Sequence, residues 1–178
     1  LTAVPVTRSF VAGEVVLASY FNTNINGPIG WLLARAIVRC RQTSAQSLTS
    51  ASYQAVTFDT EDVDSTGMHS TVTNATRFTA VYPGWYMFGG GVGFSSLATP
   101  AGRRGVRFSV NGTVLNGTAN QFQSSSTSSG ALTGRNTLLF LNVNDYVEIQ
   151  AFFEGGGTLN LSVTAEQQPS CDGVWQSN

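Results

Sequence analysis

From Tyr53 onward, apolar and polar residues alternate nearly one for one. In Val106–Val110 the apolar set is Val106, Phe108 and Val110, with Arg107 and Ser109 between them. In Asp145–Phe153 it is Val147, Ile149, Ala151 and Phe153, and in Thr158–Thr164 it is Leu159, Leu161 and Val163. Successive side chains of a strand point to opposite faces, so each run has one dry side and one wet side. Asn111-Gly112 and Asn116-Gly117 are tight-turn signals. Gln123–Gly130, "QSSSTSSG", reads as an exposed low-complexity loop. No helical period recurs after residue 50. About eight to ten short strands broken by such turns specify an all-β fold, a β-sandwich of jelly-roll type.

One strand is unusual. "YMFGGGVGF" continues the alternation: Tyr86, Phe88, Gly90, Val92 and Phe94 share one face, while Trp85, Met87, Gly89, Gly91 and Gly93 share the other. The spacing matches neither phosphate-binding glycine pattern, and no helix pattern follows. Glycine inside a strand often marks the close approach of another backbone. The second face is therefore expected to meet a neighbouring chain or sheet. The Pro83-Gly84 step reads as the turn into the strand.

The first fifty residues differ. Leu1–Glu14 reads as extended. Ser19 is placed to cap a short helix in which Phe21, Ile25, Ile29 and Leu32 recur at helical spacing. Gly27-Pro28 is expected to divide that helix, because proline suits only a helix's first turn. Gln42–Ser52 reads as a polar, uncharged linker. The resulting organisation is an arm, helix and linker at 1–52, a sandwich at 53–166 and a tail at 167–178.

Charge excludes several functions. Charged residues make up 11% of the chain against a usual share of about 25%, and the net charge is −1. With no basic stripe, nothing draws a phosphate backbone, so nucleic acid is not an expected partner. All nine basic residues are arginine. No stretch is long and apolar enough for a membrane span. Cys40 and Cys171 match no metal or redox spacing; a bridge between them is conceivable, and two reduced thiols are the expectation.

Candidates for chemistry are few. The single histidine, His69, has no cysteine nearby, and no serine sits in a nucleophile elbow; no enzyme is expected, and no cofactor. The acidic run "DTEDVD" supplies Asp62 and Asp64, which with His69 are the candidate cation ligands. Its spacing lacks the glycine turn and distal glutamate of a calcium loop, so it reads as a solvated acidic loop and no metal site is assigned. Asn74, Asn111, Asn116 and Asn160 open N-x-[ST] sequons; two of these are simply Asn-Gly turns.

These residues add up to a resemblance. Phe78-x5-Gly84-x-Tyr86-x-Phe88 resembles the core signature of the complement globular-head domain, within the tumour necrosis factor-like jelly-roll superfamily. Phe58-x5-Asp64, Phe108-Ser109-Val110-Asn111-Gly112 and Leu141-x-x-Asn144-Asp145-x-Val147 resemble further pieces of the same pattern, over residues 53 to 165. Gly90 stands where the family carries an aromatic, and Asn144 replaces a turn glycine. The N-terminal "GEVVLASYFNTNINGPIGWLL" together with "TGMHS" resembles segments of tailed-bacteriophage virion proteins.

The resemblance implies a homotrimer whose contacts come from one sheet. Trp85, Met87, Gly89, Gly91 and Gly93 would then lie at the three-fold seam. Phe78, Tyr86, Phe88, Val92, Phe108, Val147, Ile149 and Leu161 would fill the core. Phe10, Phe21, Ile25, Trp31 and Leu32 would dock the chain to a capsid, neck or tail protein. The implied role is a structural protein of the virion surface, assembled in the bacterial cytoplasm, as capsid decoration or a head fibre. A tail adhesin for host-surface glycans and a secreted trimeric receptor ligand are the alternatives.

Overall fold

The structure, a computed structural model, describes residues 9, 11–15, 17–33, 35–96, 102–124, 130–134 and 136–177, with the backbone alone for 31–33 and 131–133. Two antiparallel sheets face each other. The first runs β10 (Gly130–Thr133), β6 (Gly84–Phe94), β14 (Ser170–Ser177), β1 (Ile37–Arg41) and β4 (Thr60–Asp64), with β11 (Thr137–Leu141) following β10 along the same edge of β6. The second runs β3 (Ser52–Ala55), β12 (Tyr146–Phe153), β7 (Arg103–Val110) and β8 (Thr113–Val114); β5 (Phe78–Thr79) also pairs with β12 and β9 (Asn120–Gln123) with β7. A small ribbon joins β2 (Ser47–Thr49) to β13 (Thr158–Asn160). The architecture is an all-β jelly roll.

The inner faces follow the alternation. Phe78, Tyr86, Phe88, Val92, Phe108, Val147, Ile149 and Leu161 are all buried, in one cluster with Val38, Phe58, Phe94 and Trp175. Phe78 meets Phe58 edge-on at 5.3 Å and Phe88 at 6.2 Å, so the rings interlock across the sandwich. The place of an aromatic at Gly90 is already filled: a side chain there would strike the Ser170 carbonyl and press on Cys171 of β14 and Ile149 of β12. Among the described residues Arg104 is the one arginine buried in this interior, its guanidinium over the Phe94 ring at 5.7 Å, and burial lowers its proton affinity.

Turn chemistry explains the hairpins. Asn111 and Gly112 both take positive φ, as the two-residue turn between β7 and β8 requires. Asn144 has φ +72° ahead of β12, a conformation that asparagine tolerates better than most residues. At Asn116-Gly117 only the glycine takes positive φ, so this is a different turn.

Several boundaries differ from the sequence expectation. The sandwich is wider than 53–166: β1 lies before it and β14 after it, and β14 is bonded to β6 on one side and β1 on the other. The stretch 42–52 is not a free linker, because Leu48 of β2 is fully buried and Gln42 is nearly so. The acidic run is not a loop but the edge strand β4, paired with β1. Ser19 does not cap the helix; Leu17 holds that position, with no side-chain bond. Nor does Gly27-Pro28 divide it: α1 (Ala18–Phe21) continues through a π-helical turn (Asn22–Asn26) into α2 (Gly27–Leu33).

Candidate functional site

The outer face of the first sheet presents one uncovered apolar surface. Cross-strand register builds it row by row. Trp85 of β6 stands opposite Phe140 of β11, the rings edge-on at 5.8 Å. In the next row Leu138 of β11, Met87 of β6, Val174 of β14 and Ile37 of β1 lie side by side. Trp85 is 42% exposed, Met87 40%, Leu138 53%, Phe140 50% and Ile37 39%. Side chains of this size at such exposure, contiguous across four strands, form an apolar patch on the described surface.

The face changes character along the strands. Two residues further on, Gly89, Asp172 and Arg39 form the next row, and Gly91, Ser170 and Arg41 the one after it. Arg41 holds Asp62 at 2.8 Å, and Arg39 reaches the same carboxylate at 3.5 Å. Asp172 leans towards Gly89, and burial pushes its carboxyl above the usual carboxylate range against the opposing pull of Arg39. The surface is thus apolar at the Trp85 end and charged towards β4.

The glycines need a correction. A side chain at Gly89 would strike Asn136 and Asp172, and one at Gly93 would strike the backbone of Gln167. The close approach at these two positions comes from the chain itself, so it is not evidence of a neighbouring subunit. Trp85 and Met87 remain on the open surface; Gly91 sits between Thr133 and Ser170.

The candidate cation ligands do not converge. Asp62 is taken by the two arginines. Asp64 accepts the backbone N–H groups of Thr66, Gly67, Met68 and His69 at 2.8–3.2 Å. His69, its ring fully buried, sets Nδ1 3.0 Å from Glu61 Oε1 and donates Nε2–H to the Ala75 carbonyl at 3.1 Å. With both nitrogens engaged, His69 is not placed to act as a general base, and among the described residues no group of three ligating side chains forms a metal site. Cys40 and Cys171 are free, buried and directly opposite each other on β1 and β14. Burial pushes the Cys40 thiol up to about 12, with Glu61 and Asp64 adding to the shift, so thiolate chemistry is suppressed.

Of the expected docking residues, Phe10 lies outside the described residues, as do the side chains of Trp31 and Leu32. Phe21 is exposed and Ile25 half-buried, and nothing from Leu17 to Gly30 is buried.

Sequence reasoning missed Ile37, Val174, Leu138 and Phe140. The signal for two of them is visible in "TLLFL": apolar residues at both parities mean that a strand has something to cover on each face. The other two become neighbours only through pairing between the first strand and the last.

No family model and no curated protein sequence matches the chain. Solved structures do. The globular domain of zebrafish complement 1qA protein is similar at TM-score 0.61 and 19% identity, covering 81% of this chain and 99% of that one. Eiger TNF from S. frugiperda is similar at 0.55 and 10%, covering 82% and 94%. Murine APRIL is similar at 0.54 and 10%, covering 80% and 99%. At these identities the likeness establishes the fold, the tumour necrosis factor and complement-head jelly roll.

Proposed function

We propose that this chain is a structural module that associates as a homotrimer through the outer face of its first sheet, and that it serves as a virion surface protein anchored by its N-terminal segment. The observation that carries the self-association is the contiguous surface of Trp85, Phe140, Met87, Leu138, Val174 and Ile37. Burying such side chains is worth about 25 cal/mol per Å² of apolar area. That gain is opposed by the entropy of association, so a small surface per copy works best when each copy uses it more than once, as in a closed ring.

The virion reading is supported by the exposed uncharged helix ahead of the sandwich and by the N-terminal resemblance. Capsid decoration or a head fibre would hold the helix in the particle and project the jelly roll outward. A soluble trimeric ligand is the second reading, favoured by the likeness to Eiger TNF and APRIL. Both readings share the trimer and differ in what the N-terminal segment meets.

Light scattering on the purified chain tests the shared part. The wild type is expected at three times the monomer mass. Trp85→Glu is expected to give a folded monomer, because it sets a charge against Phe140 and against the next copy. A persistent trimer in that variant means the seam lies elsewhere. Cryo-electron microscopy of a phage particle carrying the gene, with density for the jelly roll at a capsid three-fold or on the tail, decides the location; particles without it sink the virion reading.

A further inference from the structure

We infer that the helical segments of neighbouring copies pack on one another, continuing the sheet seam into a short parallel bundle. This rests on the self-association proposed above. From Ala18 to Leu33 the helix holds Asn22, Asn24, Asn26, Gly27, Pro28 and Gly30, a poor helix-forming set. Short isolated helices are marginal in water even when rich in alanine, so a segment of this composition needs an apolar partner to persist. Among the described side chains, the sandwich buries none of this helix from Leu17 to Gly30. Asn24 donates to the Tyr20 carbonyl and Asn26 to Asn22, one turn away in each case. Leu17, Phe21 and Ile29 are each about half exposed, at 53%, 46% and 50%.

The place of the helix on the chain selects the occupant. Only Ala34, Arg35 and Ala36 separate Leu33 from Ile37, which stands in the apolar row of the sheet face. At about 3.3–3.6 Å per residue, the helix end lies no more than about 14 Å from that row. Packed helices need axes about 8–10 Å apart. Copies that meet at Ile37 therefore bring their helices within reach of one another, in parallel and at high effective concentration. No charge lies between Glu14 and Arg35 to resist the contact. Phe21, Ile25 and Ile29 recur every four residues and supply the apolar stripe.

Cross-linking of the full chain tests this. Ile25→Cys treated with a short bis-maleimide is expected to give covalent dimers from the trimer, since Cys40 and Cys171 are buried and do not compete. Val72→Cys, on a loop and 90% exposed, is expected to give none. As a second readout, Ile25→Asp is expected to remain trimeric while losing the helical circular-dichroism signal at 222 nm. A trimer that yields no dimer from Phe21→Cys, Ile25→Cys or Ile29→Cys, or a helical signal unchanged in Ile25→Asp, overturns the bundle and leaves the sheet seam standing. A monomeric wild type overturns the seam itself, and the bundle with it.

Discussion

Two carboxylates hold loops by accepting backbone hydrogens, and each gives a distinct prediction. Asp64 at the end of β4 ties down the four residues that follow Ser65. Asp64→Ala leaves those N–H groups without their acceptor, and a cost of about 2–3 kcal/mol in urea unfolding is expected. Asp59 does similar work for the turn after β1. Burial alone would raise its carboxyl, but hydrogen bonds from Thr43 and Ser44 overcome that and hold it at about 2. Its folded value lies below the unfolded one, so the stability it adds is full above about pH 4. That stability is lost as the pH falls towards 2. After allowance for solvent screening at this partly exposed site, the contribution is about 1 kcal/mol. Urea midpoints measured against pH should show the gap between wild type and Asp59→Asn closing across that window; a constant gap would mean the carboxylate charge is not what the turn uses.

At the scale of elements, β6 shows what alternation makes legible and what it hides. Its inward set, Tyr86, Phe88 and Val92, can be read directly because every second residue is apolar and the opposite face differs in kind. Its neighbour β14 was far less visible. The inward residues there are Cys171, Gly173 and Trp175, and Gly173 lies under the Phe88 ring, where any side chain would collide. A glycine on the dry face breaks the hydrophobic pattern, so the strand reads as a tail. β1 was hidden for another reason: Arg39 and Arg41 point outward from a short strand whose partner lies at the far end of the chain. Pairing of that kind leaves no local trace, and the uncovered surface built from both strands stayed equally invisible. The entry to β6 can be tested. Gly84 has φ +140°, and a side chain there would meet the Ser177 backbone and the Trp175 indole, which donates to the Pro83 carbonyl at 3.2 Å. Gly67 has φ +76° but opens onto free space. Gly84→Ala is therefore expected to cost about 2–3 kcal/mol or more in strain and displacement, against about 1 kcal/mol for Gly67→Ala. Equal costs in denaturant unfolding would mean that the contact with β14 yields freely.

For the whole molecule, the charge boundary on the association face sets how assembly responds to pH. Asp172 precedes Val174 by two residues on β14, which puts its row about 7 Å beyond the apolar one. A seam centred on Met87 and Val174 dehydrates that carboxylate further. Its carboxyl already stands above the ordinary range because of burial, and Arg39 opposite offsets this only in part, being shared with Asp62. Deeper burial favours the neutral form, so associated copies bind more protons than separate ones. Association should then tighten as the pH falls towards the raised value and weaken as the pH rises through it. Sedimentation equilibrium is expected to give a smaller dissociation constant in the acid range than at neutral pH. Asp172→Asn, which has no proton to lose, is expected to remove this dependence on pH. A wild-type constant that stays flat across this range, with the trimer intact, would place the seam on the Trp85 and Phe140 side of Met87, where Asp172 keeps its water.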